Sequence, residues 1–251
     1  SDEFEPKPDK PLHVQVMELE MGGKADVNKI DFSTGGGATN AAVTFARQNL
    51  HAIFMGTIGH DPAGKAVLDD LDKEGVDTRF VSYSDKLNTG YSVLLLAPNG
   101  ERSILTYRGA STKYLIKNFN LDDVEADWLY VSTMTGNMNV LDHIFHQARQ
   151  KGIKVFFNPG KGELKQPQLL KGLLEDVDVL SLNKEEAQQI VHGETSEELV
   201  RHLLHYVGVA IVSDGPDGVV ASDGQVIIKA GMYRLSLIHI SEPTRQAESS
   251  Y

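Results

Sequence analysis

Residues 35–42 read Gly-Gly-Gly-Ala-Thr-Asn-Ala-Ala, and this stretch is the strongest indication of how the chain folds and what it binds. The three glycines lead directly into a helix of small residues, which we predict over 38–50. Glycine has no Cβ, so a ligand can approach its backbone, and the free N–H groups at a helix start favour an electronegative partner. Asn40, in the first turn, carries an amide that can both donate to and accept from a polyol hydroxyl. The stretch therefore predicts a site for a small polar molecule.

A second glycine-punctuated turn follows one strand later, where residues 56–64 read Gly-Thr-Ile-Gly-His-Asp-Pro-Ala-Gly. The residues between the two turns, 51–58, are predicted to form a buried strand. Asp61 stands just before a helix that we predict over 63–74. We expect its carboxylate to stabilise the start of that helix rather than to take part in chemistry.

The rest of the chain alternates short apolar strands with helices, starting at Trp128 and ending at Val212. This rhythm is typical of an α/β fold with a doubly wound, mostly parallel sheet flanked by helices. Residues 91–107 do not follow it. Two alternating strands around an Asn-Gly turn predict a β-hairpin there, in a small separate sheet.

Composition limits the classes of partner. The 251 residues carry a net charge of −11, and 41% of them are apolar. An acidic chain is not expected to bind nucleic acid or an anionic membrane, whereas nucleotide phosphates can still be held by backbone N–H groups and a metal ion. No apolar run approaches the roughly 20 residues that cross a bilayer. The absence of cysteine is consistent with a cytoplasmic location but does not require it.

The two glycine-rich turns and their spacing to Asn40 resemble the first signature of the ribokinase-like (PfkB-type) family of sugar and nucleoside kinases. The resemblance implies a ribokinase-like α/β fold with a small β-sheet lid, here formed by segments at about 11–30 and 88–108. It implies ATP as co-substrate, Mg²⁺, and a sugar or nucleoside as the other substrate. In that family a pair of glycines and the asparagine bind this substrate, and the resemblance assigns this role here to Gly35, Gly36, Gly37 and Asn40. Some sugar kinases of the family carry a lysine in place of Gly37, so the identity of the sugar stays open.

Two further motifs resemble the nucleotide-binding elements of the same family. Residues 183–186, Asn-Lys-Glu-Glu, match an Asn-x-x-Glu element in which the asparagine lies near the phosphates and the glutamate orders the water around Mg²⁺. Residues 213–218, Ser-Asp-Gly-Pro-Asp-Gly, resemble a turn that contacts the nucleotide. From the residues alone, the first motif is also a helix N-cap and the second an ordinary hairpin turn. The resemblance assigns Glu186 to the metal region and the nucleotide to Asn183, Ser213, Gly215 and Gly218.

Arg108 closes the predicted hairpin, and its guanidinium could reach a substrate hydroxyl or phosphate. The other interpretation is a solvated charge at the end of a strand. The hairpin itself needs cover for its apolar face, so we expect that a complete protein could form a homodimer through the lid.

The catalytic aspartate of the family lies in a later Gly-Ala-Gly-Asp signature, which is not found in these 251 residues. Residues 235–245 instead resemble the translated adapter of a transposon-based sequencing library. We therefore expect residues 1–234 to be a fragment of a kinase domain and 235–251 to be non-native. No catalytic residue is assigned, and the chain as printed is expected to be inactive.

The sequence also allows two other classes of function. A non-catalytic paralogue that only binds a sugar or nucleoside would carry the same substrate motif without the aspartate. A dinucleotide-dependent enzyme is less favoured, because no Gly-x-Gly-x-x-Gly follows a first strand.

Overall fold

The computed structural model describes residues 22–24, 27, 29–96 and 102–231. The helices there are α1 Gly37–Arg47, α2 Pro62–Lys73, α3 Met138–Lys151, α4 Lys161–Leu164, α5 Pro167–Leu173, α6 Lys184–Ile190 and α7 Ser196–Leu203. The strands are β1 Thr57–Gly59, β2 Ser82–Ser84, β3 Tyr91–Leu96, β4 Arg102–Tyr107, β5 Trp128–Val131, β6 Lys154–Phe157, β7 Val179–Asn183, β8 Val209–Ser213, β9 Val219–Ser222 and β10 Ile227–Ala230.

The central element is a six-stranded sheet with the order β10-β9-β8-β7-β6-β5. Strands β5 to β8 run parallel, and β9 and β10 are added antiparallel at one side. Helices connect the parallel strands and cover the sheet, as the alternation of strands and helices predicts. The carboxyl ends of β5, β6, β7 and β8 consequently lie at one edge, where ligands of such sheets bind.

Helix α3 shows why these residues form these elements. Asn137 caps its first turn by accepting a hydrogen bond from the N–H of Val140, and Gly152 ends it in the left-handed conformation, with φ of 69°. The apolar side of the helix is buried in the core and consists of Val140, Leu141, Ile144, Phe145 and Ala148. Burial of this stripe fixes α3 against the sheet.

The segment before β1 departs from the predicted strand over 51–58. Only Thr57–Gly59 forms a strand, paired in parallel with β2, and an isolated bridge joins Ile53 to Asp77. The backbone of Asp77 hydrogen-bonds on both sides, to Ala52 and Phe54, and then the pairing breaks. Gly56, between the bridge and β1, leaves room for the ring of Phe54, which a Cβ at this position would overlap. The apolar run was therefore a correct sign of burial but not of a continuous strand.

The hairpin predicted around the Asn-Gly turn is present as β3 and β4, which form a two-stranded sheet of their own. This hairpin and the described residues up to Phe32 form one compact unit, and the six-stranded sheet lies in the other. Most of the predicted first lid segment, about 11–30, and all of the predicted tail, 235–251, lie outside the described residues. Among the described residues no helix is long and apolar enough to cross a membrane.

Candidate functional site

The glycine stretch forms the entrance to α1. Gly36 has a φ of 117°, a conformation that favours glycine, and its carbonyl accepts hydrogen bonds of 3.0 Å from the N–H of Asn40 and the hydroxyl of Thr39. Gly35 is exposed, and the space around it is open. Asn40 is exposed as well, and its side-chain amide forms no hydrogen bond with any residue that the structure describes. Backbone and amide are therefore accessible to a ligand.

Gly37 places this entrance against the sheet. A Cβ on Gly37 would lie 3.0 Å from the Cβ of Ser132, the residue that follows β5. This distance is shorter than the usual separation of two carbons in contact, so glycine allows α1 to approach the carboxyl end of β5. The edge-to-face contact of Phe45 with Tyr130, whose ring centroids are 5.8 Å apart, fixes the same helix along the strand.

Two strands further along the same edge, β7 ends at Asn183, which is also the N-cap of α6. The Asn183 side chain accepts a hydrogen bond of 2.8 Å from the N–H of Glu186, and the Glu186 carboxylate accepts one of 3.0 Å from the N–H of Asn183. The helix-cap interpretation is therefore confirmed. It occupies only one carboxylate oxygen of Glu186, so a second role in the metal region stays a prediction.

The neighbouring strand β8 ends at Ser213, which pairs in register with Asn183. The turn that follows has two glycines in left-handed conformations, with φ of 49° at Gly215 and 90° at Gly218. A Cβ on Gly218 would overlap the carbonyl oxygen of Ala230 on β10, so this position requires glycine for close packing. The turn joins antiparallel strands, which confirms the hairpin interpretation, and it leaves Ser213 and Gly215 exposed beside Asn183.

An ion pair that the sequence did not predict links these two motifs. The Lys184 ammonium lies 2.7 Å from a carboxylate oxygen of Asp214. The hydrogen bond to Asp214 raises the pKa of Lys184 above its usual value, against a smaller opposing effect of burial. A cavity of about 320 Å³ lies beside the pair, with Ser196, Asp217 and Lys229 among its lining residues. The ends of β7 and β8 are thus held together by side chains as well as by the sheet.

Arg108 lies at the start of the loop after β4 and is exposed, and its guanidinium pairs with no described residue. The positive charge of Arg108 acts on Tyr114. Burial raises the pKa of the Tyr114 hydroxyl, and the negative charge of Glu163 adds to this rise. A hydrogen bond with Ser111 and the positive charge of Arg108 both oppose the rise. The Tyr114 carbonyl also accepts a hydrogen bond of 3.2 Å from Asn137, in the loop after β5. The segment that follows Arg108 is therefore joined to the loop after β5.

The structure consequently brings the predicted groups to one edge of the sheet. In strand order this edge carries Ser132 with Gly37 after β5, Asn158 after β6, Asn183 at the end of β7 and Ser213 at the end of β8. Asn158 donates a hydrogen bond of 2.8 Å to the carbonyl of Ser181 on β7, which joins the middle of the series. Neighbouring strands are about 4.8 Å apart, so the ends of β5 and β7 are separated by roughly 10 Å.

Asp61 has the structural role that the sequence predicts. Its carboxylate accepts hydrogen bonds from the N–H of Gly64 at 2.8 Å and of Thr89 at 2.7 Å. Burial acts to raise the pKa of Asp61, but these hydrogen bonds and that of the Thr89 hydroxyl together lower it below the usual value. The second glycine turn therefore caps α2 and fixes the residues that precede β3.

Comparisons with known proteins identify the family of the chain. Residues 12–232 match the model of the pfkB family carbohydrate kinases. A ribokinase from Haemophilus influenzae is 26% identical over 167 residues, which are 65% of this chain and 53% of the ribokinase. A fructokinase from Vibrio alginolyticus is 25% identical over 197 residues, covering 74% of this chain and 64% of its own. The chain thus spans only about half to two thirds of the length of these curated relatives.

Among solved structures, a ribokinase from Arabidopsis thaliana complexed with ribose and ATP superposes with a TM-score of 0.70. It is 20% identical, and the superposition covers 85% of this chain and 71% of the ribokinase. A fructokinase from Vibrio cholerae in a form with fructose, ADP and calcium bound gives a TM-score of 0.67 at 18% identity, covering 80% of this chain and 70% of its own. The predicted ribokinase-like α/β fold is therefore confirmed.

Proposed function

This chain belongs to the pfkB family of carbohydrate kinases, and we propose that its protein transfers the γ-phosphoryl group of ATP to a hydroxyl group of a sugar. A nucleoside is the alternative acceptor. The observation that carries the proposal is the pairing of Asn183 with Ser213 on the sheet edge that also holds the glycine entrance. Two motifs that are separate in sequence thereby form one surface, next to a third motif suited to a polyol.

On the sugar side, the proposed contacts are backbone groups and two side chains. Gly35, Gly36 and Gly37 leave the backbone open, and Asn40 offers an amide that is exposed and unengaged among the described residues. Such an amide can bind two neighbouring hydroxyl groups, one as donor and one as acceptor. Arg108 would add a positive charge for a hydroxyl or a phosphate on the acceptor.

On the nucleotide side, Ser213, Gly215 and Gly218 are proposed to contact ATP, with Asn183 near its phosphates. The donor set at Glu186 fits Mg²⁺, because this ion keeps several waters and is usually bound by one or two carboxylates together with substrate phosphates. The described residues contain no cluster of three or more His, Cys, Asp or Glu side chains that could hold a metal ion by themselves. Mg²⁺ bound there would neutralise part of the phosphate charge.

Phosphoryl transfer depends mostly on positioning and on stabilisation of charge, and it also needs a base for the acceptor hydroxyl. No Gly-Ala-Gly-Asp is found in the 251 residues, so we propose that this polypeptide binds both ligands and catalyses little or no transfer. We further propose a cytoplasmic location, and a homodimer through the hairpin. The support for the dimer is the exposure of apolar side chains on β3 and β4: Val93, Leu94, Leu96, Ile104 and Leu105.

The test of the nucleotide site is calorimetric titration of the chain with Mg·ATP. Glu186→Gln should weaken binding about tenfold, since it removes the charge proposed to act on the metal. Glu198→Gln is the matched control, because Glu198 occupies the same position in the capping box of α7. Equal affinities of the two variants would refute the role of Glu186.

The sugar site is tested by titration with ribose, fructose, a sugar phosphate and adenosine. Asn40→Ala should remove most of the binding of the preferred ligand. Gln48→Ala, at the other end of α1, should leave it unchanged. A chain that binds none of the four compounds would contradict the proposed acceptor class.

A further inference from the structure

Glu163 is a fully buried carboxylate whose partners are all neutral groups. Its side chain has no exposed surface, and no described residue forms an ion pair with it. One oxygen accepts hydrogen bonds of 2.8 Å from the N–H groups of Met134 and Gly136. The other accepts bonds from the Thr133 hydroxyl at 2.7 Å and the N–H of Gly160 at 2.9 Å. Four donors satisfy the carboxylate, which makes burial of its charge tolerable.

These bonds join two loops at the carboxyl edge of the sheet. Thr133, Met134 and Gly136 belong to the loop between β5 and α3, and Gly160 to the loop between β6 and α4. The loops are in close contact, because a Cβ on Gly160 would overlap Thr133. Glu163 is therefore the group on which both loops converge.

The loop after β5 has a backbone conformation that needs such support. Thr135 has a φ of 55°, which is rare for a β-branched residue, and Gly136 follows with 82°. This left-handed turn directs the N–H groups on either side of Thr135 to the same oxygen of Glu163. Residues held in such conformations persist only where the surroundings enforce them, and they cluster at functional sites.

The same loop lies next to the glycine entrance. Thr133 follows Ser132, whose side chain is the one that Gly37 approaches. On its other side, the loop after β6 is joined to β7 through the hydrogen bond of Asn158 to Ser181. The two loops thus occupy the edge between the proposed sugar-binding glycines and the proposed nucleotide motifs.

We propose that Glu163 is a positioning residue for the sugar subsite: it holds the loop 133–136 in the conformation that fixes Ser132 against Gly37. This inference rests on the proposed function for the identity of the ligand. Glu163 touches no substrate; it acts through the two loops. A carboxylate is needed because all four neighbours donate, whereas the NH₂ of a glutamine would face at least one N–H donor.

The test compares Glu163→Gln with Leu170→Ala in the 251-residue chain. Leu170 is also fully buried but lies on α5, outside both loops, so its truncation gives the effect of lost core packing for comparison. Hydrogen exchange is followed at residues 133–137 and 160 under conditions where both variants are folded. Glu163→Gln should speed exchange there at least tenfold relative to Leu170→Ala. Equal rates in the two variants would overturn the proposal.

Ligand binding separates positioning from a merely structural role. Glu163→Gln should weaken binding of the preferred compound among ribose, fructose and adenosine at least fivefold, and change Mg·ATP affinity less than twofold. Equal losses for both ligands, or none for the sugar, would overturn the proposal. If the unaltered chain binds none of the compounds, the proposed function fails, and the exchange rates still decide whether Glu163 holds the loop.

Discussion

In the described part of the chain, α6 and α7 begin with the same capping box, and only the box of α6 starts at the end of a parallel strand. In α6, Asn183 and Glu186 exchange hydrogen bonds between side chain and backbone, and in α7 Thr195 and Glu198 do the same. Asn183 is the last residue of a parallel strand, whereas Thr195 lies between two helices. The cap is thus a structural device in both places. The position at a strand end is what adds a proposed binding role to the first.

The largest loss of stability should come from a change in the turn 213–218, which lies beside the capping box of α6. Gly218→Ala has to displace Ala230 and adopt a left-handed backbone, so we expect a loss of about 3 kcal/mol in the free energy of unfolding. Gly224→Ala, which has a φ of 86° but open space, should lose only about 1–2 kcal/mol. Denaturant unfolding measures both. If Gly218→Ala loses no more unfolding free energy than Gly224→Ala, β10 can move to make room for a methyl group at low cost.

Removal of the two N-cap side chains separates the role of the cap in α6 from its role in α7. Asn183→Ala and Thr195→Ala should each cost about 0.5–2 kcal/mol of stability, because each leaves a helix N–H without its acceptor. Only Asn183→Ala should also weaken Mg·ATP binding, by about tenfold, the effect of losing one hydrogen bond to a charged group.

Calorimetry at matched folded fraction distinguishes the two caps. Thr195 lines the cavity beside Lys184 and Asp214. A comparable loss of Mg·ATP affinity in Thr195→Ala would place that cavity within the nucleotide site. The two capping boxes would then both act in nucleotide binding.

The smallest effect concerns pH and the second box. Hydrogen bonds from the N–H groups of Glu194 and Thr195 lower the pKa of Glu198 below its usual value. Its contribution to stability is therefore present above the unfolded pKa, about 4.3, and is lost as pH falls through the lower folded pKa. The difference in unfolding free energy between the unaltered chain and Glu198→Gln should be constant at neutral pH and shrink in acid. A difference that is independent of pH down to 3 would argue against the charged cap.

Local signals in the sequence were sufficient for most elements. The apolar stripe of α3, the two strands of the hairpin and the capping box of α7 each depend on residues that are close in sequence, and the structure contains all three. The strand expected over 51–58 was shortened because its pairing depends on Asp77, which is distant in sequence. Local patterns report burial and period, while the length of a strand is set by its partner.

The site was predictable where a motif is contiguous and not where contacts are long-range. The motifs around Asn40, Asn183 and Ser213 could be recognised in order along the chain. The ion pair of Lys184 with Asp214 joins residues 30 positions apart. The partners of Glu163 at Thr133, Met134 and Gly136 are about as distant, and an acidic residue in a Gly-Glu-Leu segment looks like a surface residue. Only the fold shows that this carboxylate is buried.

Strand β5 begins with Trp128, the single tryptophan of the sequence, which is about half exposed and lies 5.3 Å from the Lys154 ammonium. It stands at the amino end of the strand, whereas the proposed ligand sites lie at the carboxyl end. The intrinsic fluorescence of Trp128 should therefore change when the sheet unfolds and stay constant when sugar or nucleotide binds. One native fluorophore thus follows the unfolding of every variant in the presence of ligand, without a label.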